Sequence, residues 1–191
     1  MTFMELQKYH GRCFVRLTSG SDVDLLNPNP DTILIEDIAA HLSRIQRYNG
    51  IVANCSDKPM GLSVGIHSLL VARYLPDSLK LQGLLHDATE AYMGDLVGPL
   101  KDVIPEFKTI ENNLMKVIFQ KFGLPFPLHH LVKEMDKLCL ASEMKHCLGW
   151  HDLADQISGE PLEGFRYPDL TPAQTEELFL DRFEWYSKLA G

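Results

Sequence analysis

The spacing of apolar side chains predicts a chain that is almost wholly helical beyond about residue 35. Ile35, Ile38 and Leu42 recur at the helical period, which predicts an amphipathic helix over about 35–47. Similar spacing, with proline, glycine and capping residues at the ends, predicts further helices along the rest of the chain. These cover about 63–75, 78–87, 106–122, 128–147 and 171–189.

The first thirty or so residues follow a different pattern. Short alternating runs at 12–17 and 22–25 flank a turn that contains Gly20, and this predicts a small β-hairpin within about 10–30. The polar segment 149–168 is predicted to be a loop. We therefore expect a single all-α domain over 1–191, a helical bundle with a small N-terminal β-hairpin, a helical core at about 35–147 and a C-terminal helix.

Composition narrows the choice of partners and of compartment. The chain has 191 residues, 45% of them apolar and 23% charged, and a formal net charge of −8. Because Lys and Arg form no cluster, we expect no duplex nucleic-acid partner, although a phosphate-bearing small molecule needs only a few cations. We see no signal pattern and no apolar run long enough for a membrane, so we expect a soluble cytoplasmic protein. The scattered cysteines predict reduced thiols, at Cys13, Cys55, Cys139 and Cys147.

The candidate chemistry centres on His67, the adjacent pair His86 and Asp87, and Asp136. Two imidazoles and two carboxylates are sufficient to hold one divalent metal ion that activates a water molecule. Neighbouring residues on a regular helix point about 100° apart, so His86 and Asp87 reach one ion only near a helix end or a distortion. For Asp136, an ion pair with a neighbouring lysine fits the sequence equally well.

Other polar residues have both a functional and an ordinary interpretation. Glu90 lies one helical turn after the histidine of the His-Asp pair and could act as a general acid or base, as could Asp95, but both also fit solvated surface positions. Arg44 and Arg47, with Tyr48 next to them, suit the phosphates and the ring of a nucleotide. They equally fit the basic end of an ordinary helix.

Four sequence strings carry a resemblance to a known family. They are IEDIA at 35–39, RIQRYNG at 44–50, LSVGIHS at 62–68 and LLHDATEAYMGD at 84–95. Together with the ordered set of histidines and aspartates, they resemble the HD-domain metal-dependent phosphohydrolases. The similarity is greatest to the branch that contains 5′-deoxynucleotidases and phage dATP triphosphohydrolases, and it covers about 35–143.

The resemblance assigns roles to individual residues. It implies that a divalent ion (Zn, Co, Mn or Mg) is held by the two histidines and two aspartates already named. It implies catalytic roles for Glu90 and Asp95, phosphate contacts for Arg47 and Lys101, and a position for Tyr48 against the sugar or base. The chain departs from the pattern at Ile66, where an acidic or amide residue that would orient His67 is usual.

The function that follows from the resemblance is a dNTP triphosphohydrolase that releases deoxynucleoside and triphosphate, with dATP as the first substrate to test. A 5′-deoxynucleotidase acting on dNMPs is the alternative. A regulatory protein that binds nucleotides without turnover is a third possibility. The resemblance also implies a homo-oligomer, a dimer or a hexamer, and the host cytoplasm as location if the chain is phage-encoded.

Overall fold

The computed structural model describes residues 13–50, 61–158 and 160–190, and its architecture is all-α with one small hairpin, as predicted. Strands β1 (Phe14–Arg16) and β2 (Asp22–Asp24) pair antiparallel, with Val15 opposite Val23. The helices are α1 (Ile35–Leu42), α2 (Val64–Tyr74), α3 (Lys80–Leu84), α4 (Glu90–Met93), α5 (Gly98–Val103), α6 (Pro105–Lys121), α7 (His130–Glu143), α8 (His151–Ile157) and α9 (Pro172–Ala190).

Helix α2 is the central element of the bundle. Ser63 caps its N-terminus, because its side chain accepts a hydrogen bond from the backbone N–H of Ile66. Nine of its residues are buried. They contribute to two hydrophobic clusters, one with α1, α3, α6 and α9, the other with α7 and the chain that follows it. A polar side chain on this helix therefore lies deep inside the protein.

Helix α1 is shorter than the pattern predicts, since it ends at Leu42 rather than near residue 47. The Ser43 hydroxyl donates back to the carbonyl of Ala39, and beyond it Gln46 forms a β-bridge with Ser63. Tyr48 and Asn49 then adopt left-handed backbone, with φ of 55° and 54°. The segment that carries Arg47 and Tyr48 is therefore irregular and lies against the start of α2.

The helix predicted over 78–87 is interrupted. A short 3₁₀ turn, Asp77–Leu79, leads into α3, which ends at Leu84 and is followed by a bend before α4 begins. Gly83 allows α3 to pack closely on α2, because a Cβ at this position would collide with the Leu75 side chain and lie 3.2 Å from the Cα of Ala72. The His-Asp pair therefore stands at a helix end, next to α2.

The prediction of a loop over 149–168 is wrong in part, because α8 occupies His151–Ile157. Its sequence is mostly polar and only Ala154 is buried, so the apolar signal for a helix is weak. Helix α7 ends at Glu143 and passes into a π-helical turn, Met144–Leu148, which directs α8 back against α7. The last helix agrees with its prediction to within a residue.

The described residues bear on the expected thiols and on the expected lack of membrane-spanning helices. Cys13 and Cys139 carry thiols, as predicted, and Cys55 lies outside the residues that the structure describes. Across the described ranges, no helix has both the length and the apolar character needed to cross a membrane.

Candidate metal centre

The structure brings the predicted metal ligands together from three separate elements. His67 comes from α2, His86 and Asp87 from the bend after α3, and Asp136 from α7. One possible ligand atom from each of His67, His86 and Asp87 lies within 4.8 Å of the others, a grouping that could hold a metal ion. Asp136 adjoins it, with Oδ1 at 2.9 Å from Nε2 of His67 and 3.7 Å from Nε2 of His86.

Hydrogen bonds on the far side of each ring orient the two imidazoles. Nδ1 of His67 donates to Oε1 of Glu143 at 2.9 Å, and Nδ1 of His86 donates to the Gly83 carbonyl at 2.8 Å. Both Nε2 atoms are then the ones directed at the carboxylates. Nε2 of His86 is buried and makes no hydrogen bond to any residue that the structure describes, although it lies 3.1 Å from Asp87 Oδ2. A buried nitrogen without a partner, facing carboxylate oxygens, fits a divalent cation.

The electrostatics of the cluster favour a positive charge at its centre. Burial by itself raises the pKa of Asp87, but the neighbouring His86 outweighs burial and brings this pKa to about 2. Burial lowers the pKa of His86, yet Asp87 and Asp136 raise it well above its ordinary value. The carboxylates therefore attract a proton to the imidazole, and a metal ion would compete with that proton for Nε2.

Sequence reasoning missed Glu143, the residue that orients His67. Its side chain is fully buried, and besides His67 it accepts hydrogen bonds from Nε of Arg47 and from the hydroxyl of Tyr48, both at 3.0 Å. A signal was present in the sequence, because Glu143 follows Asp136 by two helical turns and so lies on the same face of α7. The orienting bond that Ile66 cannot provide comes from this distant carboxylate.

A cavity of about 540 Å³, here called the main cavity, opens beside the cluster. Part of its lining is charged and includes Arg47, Asp87 and Asp136, and much of the rest is apolar. Helix α8, which the sequence did not predict, provides some of the apolar lining together with the end of α7. The mostly apolar part of the cavity lining consists of Tyr48, Leu140, Met144, Leu153, Gln156 and Ile157.

Glu90, Asp95 and Lys101 also line the main cavity. Oε1 of Glu90 lies 3.1 Å from Nζ of Lys101, whereas its buried Oε2 has no hydrogen-bond partner within 13–50, 61–158 and 160–190. Burial raises the pKa of Glu90, and the charges of Asp87 and Asp95 raise it further, to well above the ordinary value. Glu90 is therefore a carboxyl group that holds a proton more readily than a surface glutamate does.

Arg44 is the predicted substrate residue that the structure does not bring to the main cavity. Its guanidinium donates to Glu176 of α9 and to the Ala40 carbonyl, both at 2.6 Å, and its side chain is half-exposed. Arg44 and Arg47 point in different directions because helix α1 has ended before either residue. The arginine that faces the cluster is Arg47, with Nη1 at 3.8 Å from Asp87 Oδ2.

A smaller cavity of about 220 Å³, here called the side cavity, lies on the other side of the same carboxylates. It shares Asp87, Asp136 and Lys101 with the main cavity. Its remaining walls include Lys133, Asn112 and His86. The two cavities therefore meet at the candidate metal ligands. The main cavity is mostly apolar away from the cluster, and the side cavity combines Lys101 and Lys133 with Glu111 and with apolar residues such as Met115 and Phe126.

Comparison with known proteins finds two relatives, both of them uncharacterized proteins. It is 34% identical over 179 residues to the uncharacterized protein YfdR of Escherichia coli (strain K12), across 92% of this chain and 97% of that protein. It is also 34% identical over 163 residues to the uncharacterized protein RCAP_rcc00048 of Rhodobacter capsulatus, across 78% and 81% of the two chains. No family model matches. The chain belongs to the same family as these two proteins.

Proposed function

We propose that this chain is an HD-domain phosphohydrolase that acts on deoxynucleotides with the help of a divalent metal ion. The observation that carries the proposal is the position of the His67, His86, Asp87 and Asp136 cluster at the rim of a cavity that also contains a buried arginine. A metal site beside an arginine and apolar cavity residues suits a ligand with phosphates at one end and a base at the other.

The donor set fits a first-row divalent ion, since imidazole nitrogens and carboxylate oxygens are both used by such ions. His67, His86 and Asp87 would hold it, and Asp136 is the fourth ligand that we propose. When bound, the ion would supply a polarised phosphoryl oxygen and an activated water at neutral pH. The chain's own residues supply the remaining tasks of binding, orientation and proton transfer.

Arg47 and Lys101 are the cations placed to meet phosphate oxygens. Arg47 is only 8% exposed, and its Nε is fixed by Glu143, so its guanidinium enters the cavity in a defined orientation. Lys101 is anchored between Glu90 and Glu111, at 3.1 and 2.9 Å. Both residues would offset the charge that develops on the phosphoryl oxygens during attack.

Glu90 is the group best placed to hold and release a proton. Hydrolysis forms one P–O bond from water and breaks another, and the proton from water must finally reach the leaving oxygen. A glutamic acid with a raised pKa, whose Oε2 has no partner in the described part of the chain, can deliver such a proton. Asp95 also lines the main cavity, and burial is the main reason why its pKa is raised.

The side cavity favours a triphosphate over a monophosphate substrate. A nucleoside monophosphate would occupy only the main cavity and the metal cluster. The side cavity, where Lys133 and Asn112 lie beside Glu111 and apolar residues, would then stay empty. Attack at the α-phosphorus of a dNTP breaks the bond to the 5′ oxygen and releases triphosphate, whose outer phosphates need room and cations beyond the cluster. We therefore place dNTPs, dATP first, ahead of dNMPs.

The test is a product analysis. The purified protein is incubated with Co²⁺, Mn²⁺ or Zn²⁺ and either dATP or dAMP, and the products are separated by ion-exchange chromatography. We expect deoxyadenosine and triphosphate from dATP. Phosphate from dAMP with dATP untouched would reverse the order of the two activities.

Turnover of neither nucleotide, in protein that contains stoichiometric metal, would favour the regulatory alternative that binds nucleotides without hydrolysis. The homo-oligomer stays a prediction, which light scattering of the purified protein would test.

A further inference from the structure

Glu143 connects the candidate metal ligands to the cavity wall. Its carboxylate contacts His67, Arg47 and Tyr48 at 2.9, 3.0 and 3.0 Å, and its side chain has no exposed surface. It does not line either cavity beside the cluster, so it lies behind the residues that do. A carboxylate enclosed in this way can act on the site only through its three partners.

Each partner of Glu143 presents a different part of itself to the site. His67 is held by Nδ1 and presents Nε2 at 2.9 Å from Asp136. Arg47 is held by Nε and presents Nη1 toward Asp87, and the ring of Tyr48 forms part of the main cavity. The geometry of both halves of the site, metal ligands and cavity wall, therefore depends on one buried group.

The backbone around Tyr48 gives a second reason for this dependence. Tyr48 and Asn49 both have positive φ, a conformation that asparagine adopts more readily than other non-glycine residues and that a bulky tyrosine seldom adopts. The Tyr48 hydroxyl is fixed by Glu143, and its ring meets Trp150 edge-on with the centroids 5.8 Å apart. Removing the carboxylate takes away one of these two restraints.

We propose that Glu143 is a positioning residue that links metal binding to substrate binding. It keeps His67 in the tautomer whose Nε2 is available to a metal ion, and it fixes Arg47 and Tyr48 in the wall that meets the substrate. The substrate half of this inference rests on the proposed function. The metal half rests only on the geometry of the His67 cluster.

The first experiment measures Co²⁺ affinity without substrate, by titration followed in the visible d–d absorption of bound cobalt. Glu143→Gln is expected to weaken Co²⁺ binding by about 10- to 100-fold, because loss of an orienting carboxylate behind a histidine ligand has effects of that order. Glu134→Gln is the matched control, since Glu134 is an exposed residue of the same helix. Wild-type affinity in Glu143→Gln would overturn the inference.

Tyr48→Phe tests the effect of Glu143 on metal binding separately from its effect on substrate binding. It removes one hydrogen bond to Glu143 but leaves the bond to His67 intact, so Co²⁺ affinity is expected to stay within about twofold of wild type while KM for dATP rises. A loss of Co²⁺ affinity as large as that of Glu143→Gln would mean that the effect is general distortion, and the proposal would be wrong.

The double variant Arg47→Met with Glu143→Leu covers the case in which Glu143→Gln does not fold. Replacing a buried ion pair by apolar residues of similar size is often tolerated. This variant is expected to be helical by circular dichroism and still to bind Co²⁺ at least about 10-fold more weakly. A folded double variant with wild-type Co²⁺ affinity would refute the proposal. Wild-type protein that binds Co²⁺ but hydrolyses no nucleotide would refute the proposed function alone.

Discussion

Metal binding should stabilise the fold through His86, and the size of the effect can be worked out. Nε2 of His86 is buried, has no hydrogen-bond partner among the described residues, and faces Asp87 at 3.1 Å and Asp136 at 3.7 Å. An ion that binds only the folded state at 100 times its Kd adds about 2.7 kcal/mol to the free energy of unfolding. For a chain of this size, about 2–4 °C per kcal/mol converts this gain into a rise in Tm of about 5–11 °C.

The assay is thermal unfolding followed by circular dichroism, with EDTA and with Co²⁺ at 100 times the wild-type Kd. Wild type is expected to show the full rise in Tm, and His86→Gln at the same Co²⁺ concentration only a small part of it. His130→Gln is the control, because His130 is exposed at the start of α7 and is expected to behave as wild type. The quantity compared is the rise in Tm on adding Co²⁺, in wild type and in His86→Gln.

Two results would refute this reasoning. If Co²⁺ leaves the wild-type Tm unchanged, the cluster does not bind the ion in the folded state. If His86→Gln gains as much as wild type, the ion binds elsewhere. The metal-free curves serve as a separate check, since they show whether the substitution itself alters folding.

The remaining predictions concern catalysis, substrate binding and packing. Glu90→Gln should lower kcat by about 10²–10⁴-fold while Co²⁺ still binds. Because the acid form of Glu90 persists above its ordinary pKa, wild-type kcat should fall as pH rises through that raised pKa, and the variant should lack this limb; an unchanged pH profile would exclude Glu90 as the acid. Arg47→Lys should raise KM for dATP by about tenfold or more, and Arg44→Lys should leave it unaltered; equal effects would contradict the placement of Arg44 against α9. Gly83→Ala should lower the free energy of unfolding by about 1–3 kcal/mol, because its methyl group overpacks α3 against α2. Denaturant titration measures this loss, and wild-type stability would show that the two helices can shift to accommodate the methyl group. Gln156→Leu should change the ratio of kcat/KM between dATP and dGTP, since an amide can pair with a base edge; an unchanged ratio would mean that Gln156 makes no base contact.

Much of the fold was accessible from periodicity, and the errors have local causes. The helix around His67 was predicted nearly to the residue, because Ser63 and Pro76 give clear start and stop signals. Helix α8 was missed because most of its surface is solvated, so its sequence carries little apolar periodicity. The C-terminal half of the first predicted helix was wrong because the Ser43 side chain and the bridge between Gln46 and Ser63 offered the backbone other hydrogen bonds.

For the candidate site, the sequence determined which residue types were available, and it placed the His-Asp pair where a helix could end. Two imidazoles and two carboxylates on three separate predicted helices already limit the chemistry, because burying such groups is costly unless they find partners. That much follows from composition and spacing alone, before any helix is packed against another.

Only the tertiary structure decided which of these groups meet. The packing of α3 on α2 at Gly83 sets His86 beside His67, and the direction of α7 sets Asp136 and Glu143 on either side of the His67 ring. Arg44 and Arg47, three residues apart, end on different faces because helix α1 has ended before either of them. Distances between residues far apart in the chain depend on how helices cross, and side-chain periodicity carries no information about crossing.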